Sequence, residues 1–100
     1  MGKEAINIDA IINYLTTQPV LKMWLFGSYA TGDANSESDV DLLVSYDNNA
    51  RVGLLKHTEI LLALEKILNK SVDLVPEDSL KDNIRPFVCN HRIMIYERGN

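Results

Sequence analysis

Two aspartates lie one residue apart at the start of an apolar run, in the sequence Asp39-Val40-Asp41. Strands disfavour aspartate, and carboxylates placed beside apolar residues are costly unless a positive charge compensates them. Because residues i and i+2 of a strand point to one face, both carboxylates project together, with their backbones roughly 7 Å apart. Such a pair is suited to bind one divalent cation or two, and Mg²⁺ prefers carboxylates together with substrate phosphates. The alternative is an acidic pair that only makes the end of a strand soluble.

A Gly-Ser turn and a third aspartate accompany this pair. Gly27-Ser28 follows an apolar run, where glycine allows a ligand to approach closely and the following amides and Ser28 hydroxyl are suited to bind phosphate. Asp73 is centred in another apolar run, and would add a third carboxylate that helps hold a metal and accepts a proton from an attacking hydroxyl. The alternatives for Asp73 are a solvent-facing carboxylate on an edge strand, or an ion pair with Lys70 or Arg92.

The elements that must position these residues follow from the spacing of apolar residues. Helical periodicity and continuous apolar runs separate the two kinds of element. We predict helices at about residues 3–17, 28–31 and 51–69 and strands at residues 20–26, 39–46, 71–75 and 92–97. Ser28 is the predicted N-cap of the short second helix and Gly32 its end, while Pro86 either opens or interrupts a helix within residues 79–90. The first strand is predicted to be covered on both faces, and the order of elements implies one pair of α/β layers.

Length, charge and cysteine content exclude several classes of protein. One hundred residues are expected to form a single domain, residues 1–100. A net charge of −4 argues against direct nucleic-acid binding, which needs a basic face. No apolar run has the length of a membrane span and no signal peptide is recognisable, so a cytoplasmic location is expected. The single cysteine, Cys89, excludes an internal disulfide and a cysteine zinc site.

The spacing of the glycine, serine and aspartates resembles a known signature. Gly27-Ser28, ten further residues and then Asp39-Val40-Asp41 look like the motif of the nucleotidyltransferase superfamily that includes DNA polymerase β. The sequence around residues 25–44, 51–54, 70–75 and 95–98 is similar to the minimal nucleotidyltransferases (MNT) within that superfamily. The resemblance covers nearly the whole chain, and the spaced motif is specific.

Membership of that family implies a fold, a reaction and a partner. The implied fold is α/β (α+β), a small mixed sheet of about four strands flanked by helices. The implied reaction is Mg²⁺-dependent transfer of a nucleoside monophosphate, AMP from ATP, with one or two ions. Gly27 and Ser28 would bind the triphosphate, Asp39 and Asp41 the metal, and Asp73 would be the third catalytic and metal-binding acid. Many members are antitoxins encoded beside a HEPN-domain ribonuclease toxin, and several adenylylate a tyrosine of that toxin.

The sequence departs from the family at one position and leaves alternatives open. Many members carry arginine where Thr31 stands; if that arginine assists the triphosphate, this chain is expected to be slower or to use another cation, such as Lys22 or Arg51. A non-catalytic antitoxin that acts by binding alone, and transfer to a small molecule such as an aminoglycoside, are the competing functions. Because larger relatives add a domain that holds the acceptor, we expect the acceptor to be a protein partner, or a second copy of the chain to lend a wall to the site.

Overall fold

The structure, a computed structural model, describes residues 6–35 and 37–99. Four helices and four strands alternate along this part of the chain, with short 3₁₀ turns at Asn48–Ala50 and Glu77–Ser79. The helices are α1 (Ile8–Leu15), α2 (Ser28–Thr31), α3 (Leu54–Leu68) and α4 (Arg85–Asn90). The strands are β1 (Val20–Phe26), β2 (Val40–Tyr46), β3 (Val72–Pro76) and β4 (Ile93–Glu97).

The four strands form one mixed sheet in the order β3-β2-β1-β4. Strand β1 pairs antiparallel with both β2 and β4, whereas β2 pairs parallel with β3. A parallel pair needs a crossover connection, and α3 supplies it between β2 and β3. The predicted α/β class, with a mixed sheet of four strands and flanking helices, is confirmed.

The two faces of the sheet are covered unequally. One face, here called the helix-covered face, packs on α1 and α3 through fully buried residues that include Ile11, Leu42 and Leu64. The other face carries a smaller cluster of Trp24, Leu43 and Val88 from α4, and is here called the α4 face. Strand β1 contributes to both clusters, which confirms that it is covered on both faces.

Local hydrogen bonds and backbone angles explain where the helices differ from the predictions. The first helix starts at Ile8 because the Asn7 side chain caps it, accepting a bond from the Ala10 amide at 3.1 Å; residues 3–5 lie outside the described residues. The third starts at Leu54, after Arg51 with φ of 50° and the cap residue Gly53. In residues 79–90, where the sequence left the role of Pro86 open, the structure places Pro86 in the first turn of α4, a position that tolerates proline.

The N-cap of the short helix α2 lies one residue earlier than predicted from the sequence. Gly27 is the N-cap and Ser28 the first helical residue, so the prediction of Ser28 as the cap is wrong. Gly32 ends the helix with a left-handed backbone, φ of 86°, as predicted. No helix of the described segments has the length and hydropathy that a membrane crossing would require.

Candidate active site

Asp41 and Asp73 lie side by side on the α4 face. The parallel pairing of β2 and β3 places Asp41 directly opposite Asp73. The neighbours of Asp41, Val40 and Leu42, are buried on the helix-covered face, so alternation along the strand turns Asp41 to the α4 face. Val72 and Leu74 do the same for Asp73. The structure therefore brings together two acids that are separated by more than thirty positions in the sequence.

Asp73 combines features of both interpretations made from the sequence. It is exposed on the edge strand β3, as the solvent-facing alternative requires. Its neighbour in the sheet is nevertheless another carboxylate rather than a compensating cation. Arg92, one of the cations considered as its partner, instead stacks on Trp24 and lies 3.8 Å from Glu77.

Asp39 immediately precedes β2 rather than opening it. Pairing of β2 with the β3 side begins at Val40, whose amide donates to the Ser71 carbonyl at 2.9 Å. Asp39 is exposed just outside this ladder. The strand therefore starts one residue later than predicted, and Asp39 is the last residue of the polar loop that precedes it.

The three carboxylates act on one another electrostatically. Partial burial raises the pKa of Asp41, and the charges of Asp73 and Asp39 raise it further. No set of three histidine, cysteine, aspartate or glutamate side chains is already assembled as metal ligands in residues 6–35 and 37–99. The donor chemistry still fits a hard divalent cation, because carboxylate oxygens are its preferred ligands and a cation would relieve the repulsion around Asp41.

Gly27 provides the space that Asp41 occupies. Phe26 pairs with Asp41, so the turn that follows β1 lies against the carboxylate. A Cβ atom built on Gly27 would overlap Oδ2 of Asp41 and lie 3.0 Å from its Cγ. Gly27 also has φ of 72° and ψ of −152°, a region that is essentially restricted to glycine. Two independent constraints thus require glycine at this position.

The turn after Gly27 presents polar groups beside the acids. The amides of Ala30 and Thr31 both donate to the Gly27 carbonyl, at 3.0 and 3.1 Å, and so close the turn. The amides of Ser28 and Tyr29 open α2, where no preceding helical carbonyl is in position to accept from them. Thr31 donates its hydroxyl to Asp33 at 3.0 Å. Its side chain is therefore used to hold the turn.

The two cations considered for the triphosphate do not lie beside the acids. Lys22 pairs with Ser45, four residues along β2 from Asp41 and therefore about 13 Å away by the rise of a strand. Arg51 follows the opposite end of β2. The antiparallel register of β1 places Lys22 toward the other end of the sheet, and Arg51 follows that end of β2, so the structure brings neither backbone next to the turn.

A well-formed cavity also lies at that other end. It has a volume of about 650 Å³ and is lined by residues that include Tyr46, Arg51, Gly53, His57 and Ser79. His57 there forms a hydrogen bond with the Tyr46 hydroxyl through Nδ1 at 2.8 Å, which favours a packing role for this histidine over a ligand role. The acids themselves occupy an open surface, where Asp39 and Asp73 are exposed.

Comparison with known families identifies the class of protein. Residues 8–97 match the family model of the nucleotidyltransferase domain. The chain belongs to this family, which confirms the class predicted from the glycine, serine and aspartate spacing.

Two sequence relatives refine the class. The protein adenylyltransferase MntA of Thermococcus cleftensis is 38% identical over 76 residues, which are 76% of this chain and 75% of the relative. A Methanocaldococcus jannaschii protein, provisionally named a protein adenylyltransferase, is 43% identical over 56 residues. That match spans only 56% of each protein, so the chain covers little more than half the length of this relative.

A solved structure supports the fold. A toxin–antitoxin crystal structure with AMP-PNP superposes with a TM-score of 0.79 at 24% identity. The superposition covers 93% of this chain and 75% of that one. At this identity the likeness establishes the fold.

Proposed function

We propose that this protein transfers AMP from ATP to a hydroxyl group of a partner protein. The observation that carries the proposal is the pairing of Asp41 with Asp73 beside the Gly27-Ser28 turn, with Asp39 close enough for its charge to act on Asp41. A partly buried carboxylate whose pKa is raised further by two neighbouring carboxylates is arranged for a ligand with positive charge rather than for stability. The relatives named as protein adenylyltransferases support this class of reaction.

Each residue has a separate task in the proposed reaction. The turn amides and the Ser28 hydroxyl hold the β- and γ-phosphates of ATP. Asp73 accepts the proton of the acceptor hydroxyl as the oxygen attacks the α-phosphorus. A new P–O bond forms to the acceptor, the bond between the α-phosphorus and the bridging oxygen breaks, and pyrophosphate leaves. Positioning and electrostatics supply most of the catalysis in such transfers.

Asp39 and Asp41, with Asp73, would hold Mg²⁺ at this site. The ion would supply positive charge that offsets the phosphates and the three carboxylates. The protein's own contribution is to keep Asp41 partly buried next to Gly27, where a side chain at position 27 would displace it.

The acceptor that this surface favours is a macromolecule. Asp39 and Asp73 are exposed and the acids lie on an open face rather than in a closed cavity, so a protein hydroxyl has access to them. Structural neighbours include a toxin–antitoxin complex with AMP-PNP and a tri-AMPylated Shewanella oneidensis HEPN toxin in complex with an MNT antitoxin, which makes a HEPN-type toxin the partner to test. In that setting the protein would act as an antitoxin by adenylylating its toxin.

Intact-mass spectrometry of the partner tests the proposal. The protein is co-expressed with its HEPN partner, and the expected result is a partner whose mass increases by one or more AMP units. An Asp39→Asn/Asp41→Asn double variant should leave the partner unmodified. Glu59→Gln is the matched control, because Glu59 is exposed on α3 and pairs only locally with Lys56 at 3.0 Å.

Two outcomes would overturn the proposal. Modification that persists in the double variant would remove the acids from the reaction. A partner that stays unmodified in a tight complex with the wild-type protein would instead establish neutralisation by binding alone.

A further inference from the structure

The Ser28 carbonyl is the point at which several hydrogen bonds of the Gly27-Ser28 turn meet. The amides of Gly32 and Asp33 both donate to this oxygen, the second of them at 2.9 Å. The Thr31 hydroxyl lies 3.4 Å from the same oxygen, which is a weak contact at the limit of hydrogen-bond distance. Ser28 is therefore tied through its own carbonyl to the residues that end α2.

The Thr31 hydroxyl links this carbonyl to a carboxylate. It donates to Oδ2 of Asp33 at 3.0 Å, and so joins the residues on either side of Gly32, whose left-handed φ of 86° turns the chain back. Thr31 and Asp33 are both exposed, so neither is needed to fill the core. Ala34, the next residue, is buried and anchors the chain directly after Asp33. The hydrogen bond therefore fixes the end of α2 without contributing to the packing of the sheet.

Helix α2 consists of a single turn, so its shape depends on the hydrogen bonds at its ends. Its four residues, Ser28–Thr31, are far fewer than a helix needs to be stable by itself. The N-cap residue, Gly27, has no side chain that could accept a bond from the first amides of the helix. The bonds made by Thr31 and Asp33 at the other end therefore have a large share in fixing the position of Ser28.

We infer that the Thr31 hydroxyl and the Asp33 carboxylate position Ser28 for the triphosphate, a role that rests on the proposed function. On the other side of the turn, the Asp41 side chain fills the space beside Gly27. The turn is thus held at Gly27 by this contact and at Ser28 by the hydrogen bonds of Thr31 and Asp33. Donors that are already in place lose less conformational freedom when a ligand binds. Thr31 and Asp33 act through Ser28 and are positioning residues.

Titration calorimetry with ATP and AMP in the presence of MgCl₂ tests this role. Thr31→Val removes the hydroxyl at nearly constant size and should weaken ATP binding by about 3- to 10-fold, the usual effect of one hydrogen bond. Thr31→Ser keeps the hydroxyl and should bind ATP within about twofold of the wild-type protein. AMP lacks the β- and γ-phosphates, so its affinity should stay nearly unchanged. Thr16→Val is the matched control, since the Thr16 hydroxyl donates to the Asn13 carbonyl at 2.8 Å at the end of α1.

A double-mutant cycle tests whether the two residues act as one unit. In an Asp33→Ala background the acceptor of the hydroxyl is absent, so Thr31→Val should weaken ATP binding by less than about twofold. In an Asp33→Asn background an acceptor oxygen remains, and Thr31→Val should retain most of its effect. Each comparison is made at a fixed charge of residue 33, so repulsion between a carboxylate and the phosphates does not enter the result.

Further outcomes separate this role from a structural one. Equal losses for ATP and AMP in Thr31→Val, no loss for either, a Thr31→Ser protein as weak as Thr31→Val, or the same selective loss in Thr16→Val would overturn the inference. If the wild-type protein bound no ATP, the proposed function would fail together with this inference. AMP transfer by the wild-type protein, with an ATP affinity that Thr31→Val leaves unchanged, would overturn the inference alone.

Discussion

The aspartates at the two ends of strand β2 have pKa values shifted in opposite directions. Asp41, near the start of the strand, has its pKa raised by partial burial and by the charges of Asp73 and Asp39. Asp47, directly after the strand, has its pKa lowered by the hydrogen bond from Arg98 and by the Asn49 amide. The Arg98 bond measures 2.8 Å and the Asn49 bond 2.9 Å. One strand thus carries an uncompensated acid at one end and a fully partnered acid at the other.

The contrast distinguishes residues that build the fold from residues left for a ligand. At the far end, the Tyr46 hydroxyl and His57 also satisfy each other at 2.8 Å. At the acid end, partial burial and like charges oppose ionisation of Asp41, which only an added cation would relieve. Polar side chains with hydrogen-bond partners therefore lie at one end of the strand, and carboxylates suited to bind a cation lie at the other.

The largest expected effect contrasts Asp41→Asn with Asp47→Asn in an AMP-transfer assay. Asp41→Asn removes a proposed metal ligand at the reacting end, and we expect transfer to fall by about 100- to 1,000-fold. Asp47→Asn should leave transfer unchanged, because its partner Arg98 lies at the other end of the sheet. Similar losses in both variants would contradict the division between the two ends.

The same two variants should change stability in opposite directions at neutral pH. The Asp41 pKa is raised on folding. Its stabilising contribution to the free energy of unfolding is therefore present below about pH 4 and is lost as the pH rises through the folded pKa. Asp41→Asn should therefore raise the free energy of unfolding above that pH, by less than about 1 kcal/mol after allowance for solvent screening. Asp47→Asn should lower the free energy of unfolding at neutral pH. The depressed pKa of Asp47 means that its carboxylate stabilises the fold above about pH 4, and this stabilisation is lost in acid. Urea unfolding at pH 3 and pH 7 measures both signs.

A second pair of variants compares a glycine at each end. Gly27→Ser should cost about 1–3 kcal/mol of stability from its backbone conformation alone, and should also impair transfer by displacing Asp41. Gly53→Ser should be nearly neutral, since Gly53 caps α3 with ordinary backbone angles and open space around it. Thermal unfolding and the transfer assay measure the two effects. A Gly27→Ser protein with wild-type stability and activity would disprove the steric role of this glycine.

Tyr46→Phe addresses the stabilising end directly. The variant loses the hydrogen bond to His57, and we expect a loss of about 1 kcal/mol in the free energy of unfolding. AMP transfer should be unchanged, since the cavity at this end does not contact the acids. A large loss of transfer with intact stability would assign this end a role in the reaction.

The smallest effect is an alkaline pH dependence at the same residue. Burial, with a contribution from Tyr14, raises the pKa of Tyr46 to about 12. Folding therefore becomes less favourable as the pH rises from about 10 to about 12, because the unfolded chain ionises first. In unfolding titrations the advantage of the wild-type protein over Tyr46→Phe should shrink across this range, and a constant difference would argue against the assignment.

Local signals in the sequence predicted most of the fold. The predicted bounds of strand β1 match the observed ones, because its apolar run is preceded directly by Pro19 and followed directly by Gly27. Helix starts were predicted less well, since α1 depends on the Asn7 cap and α3 on the left-handed backbone of Arg51. These depend on side-chain hydrogen bonds and backbone angles that periodicity does not report.

The sequence alone determined the family and the residues of the candidate site, because the glycine, serine and two aspartates lie within one short stretch whose spacing is specific. Only the tertiary structure placed Asp73 opposite Asp41, since the pairing of β2 with β3 depends on the crossover through α3. It also decided where Lys22 lies. Strand register places Lys22 opposite Ser45, toward the end of β2 that is far from the acids, and register is set by how the whole sheet packs.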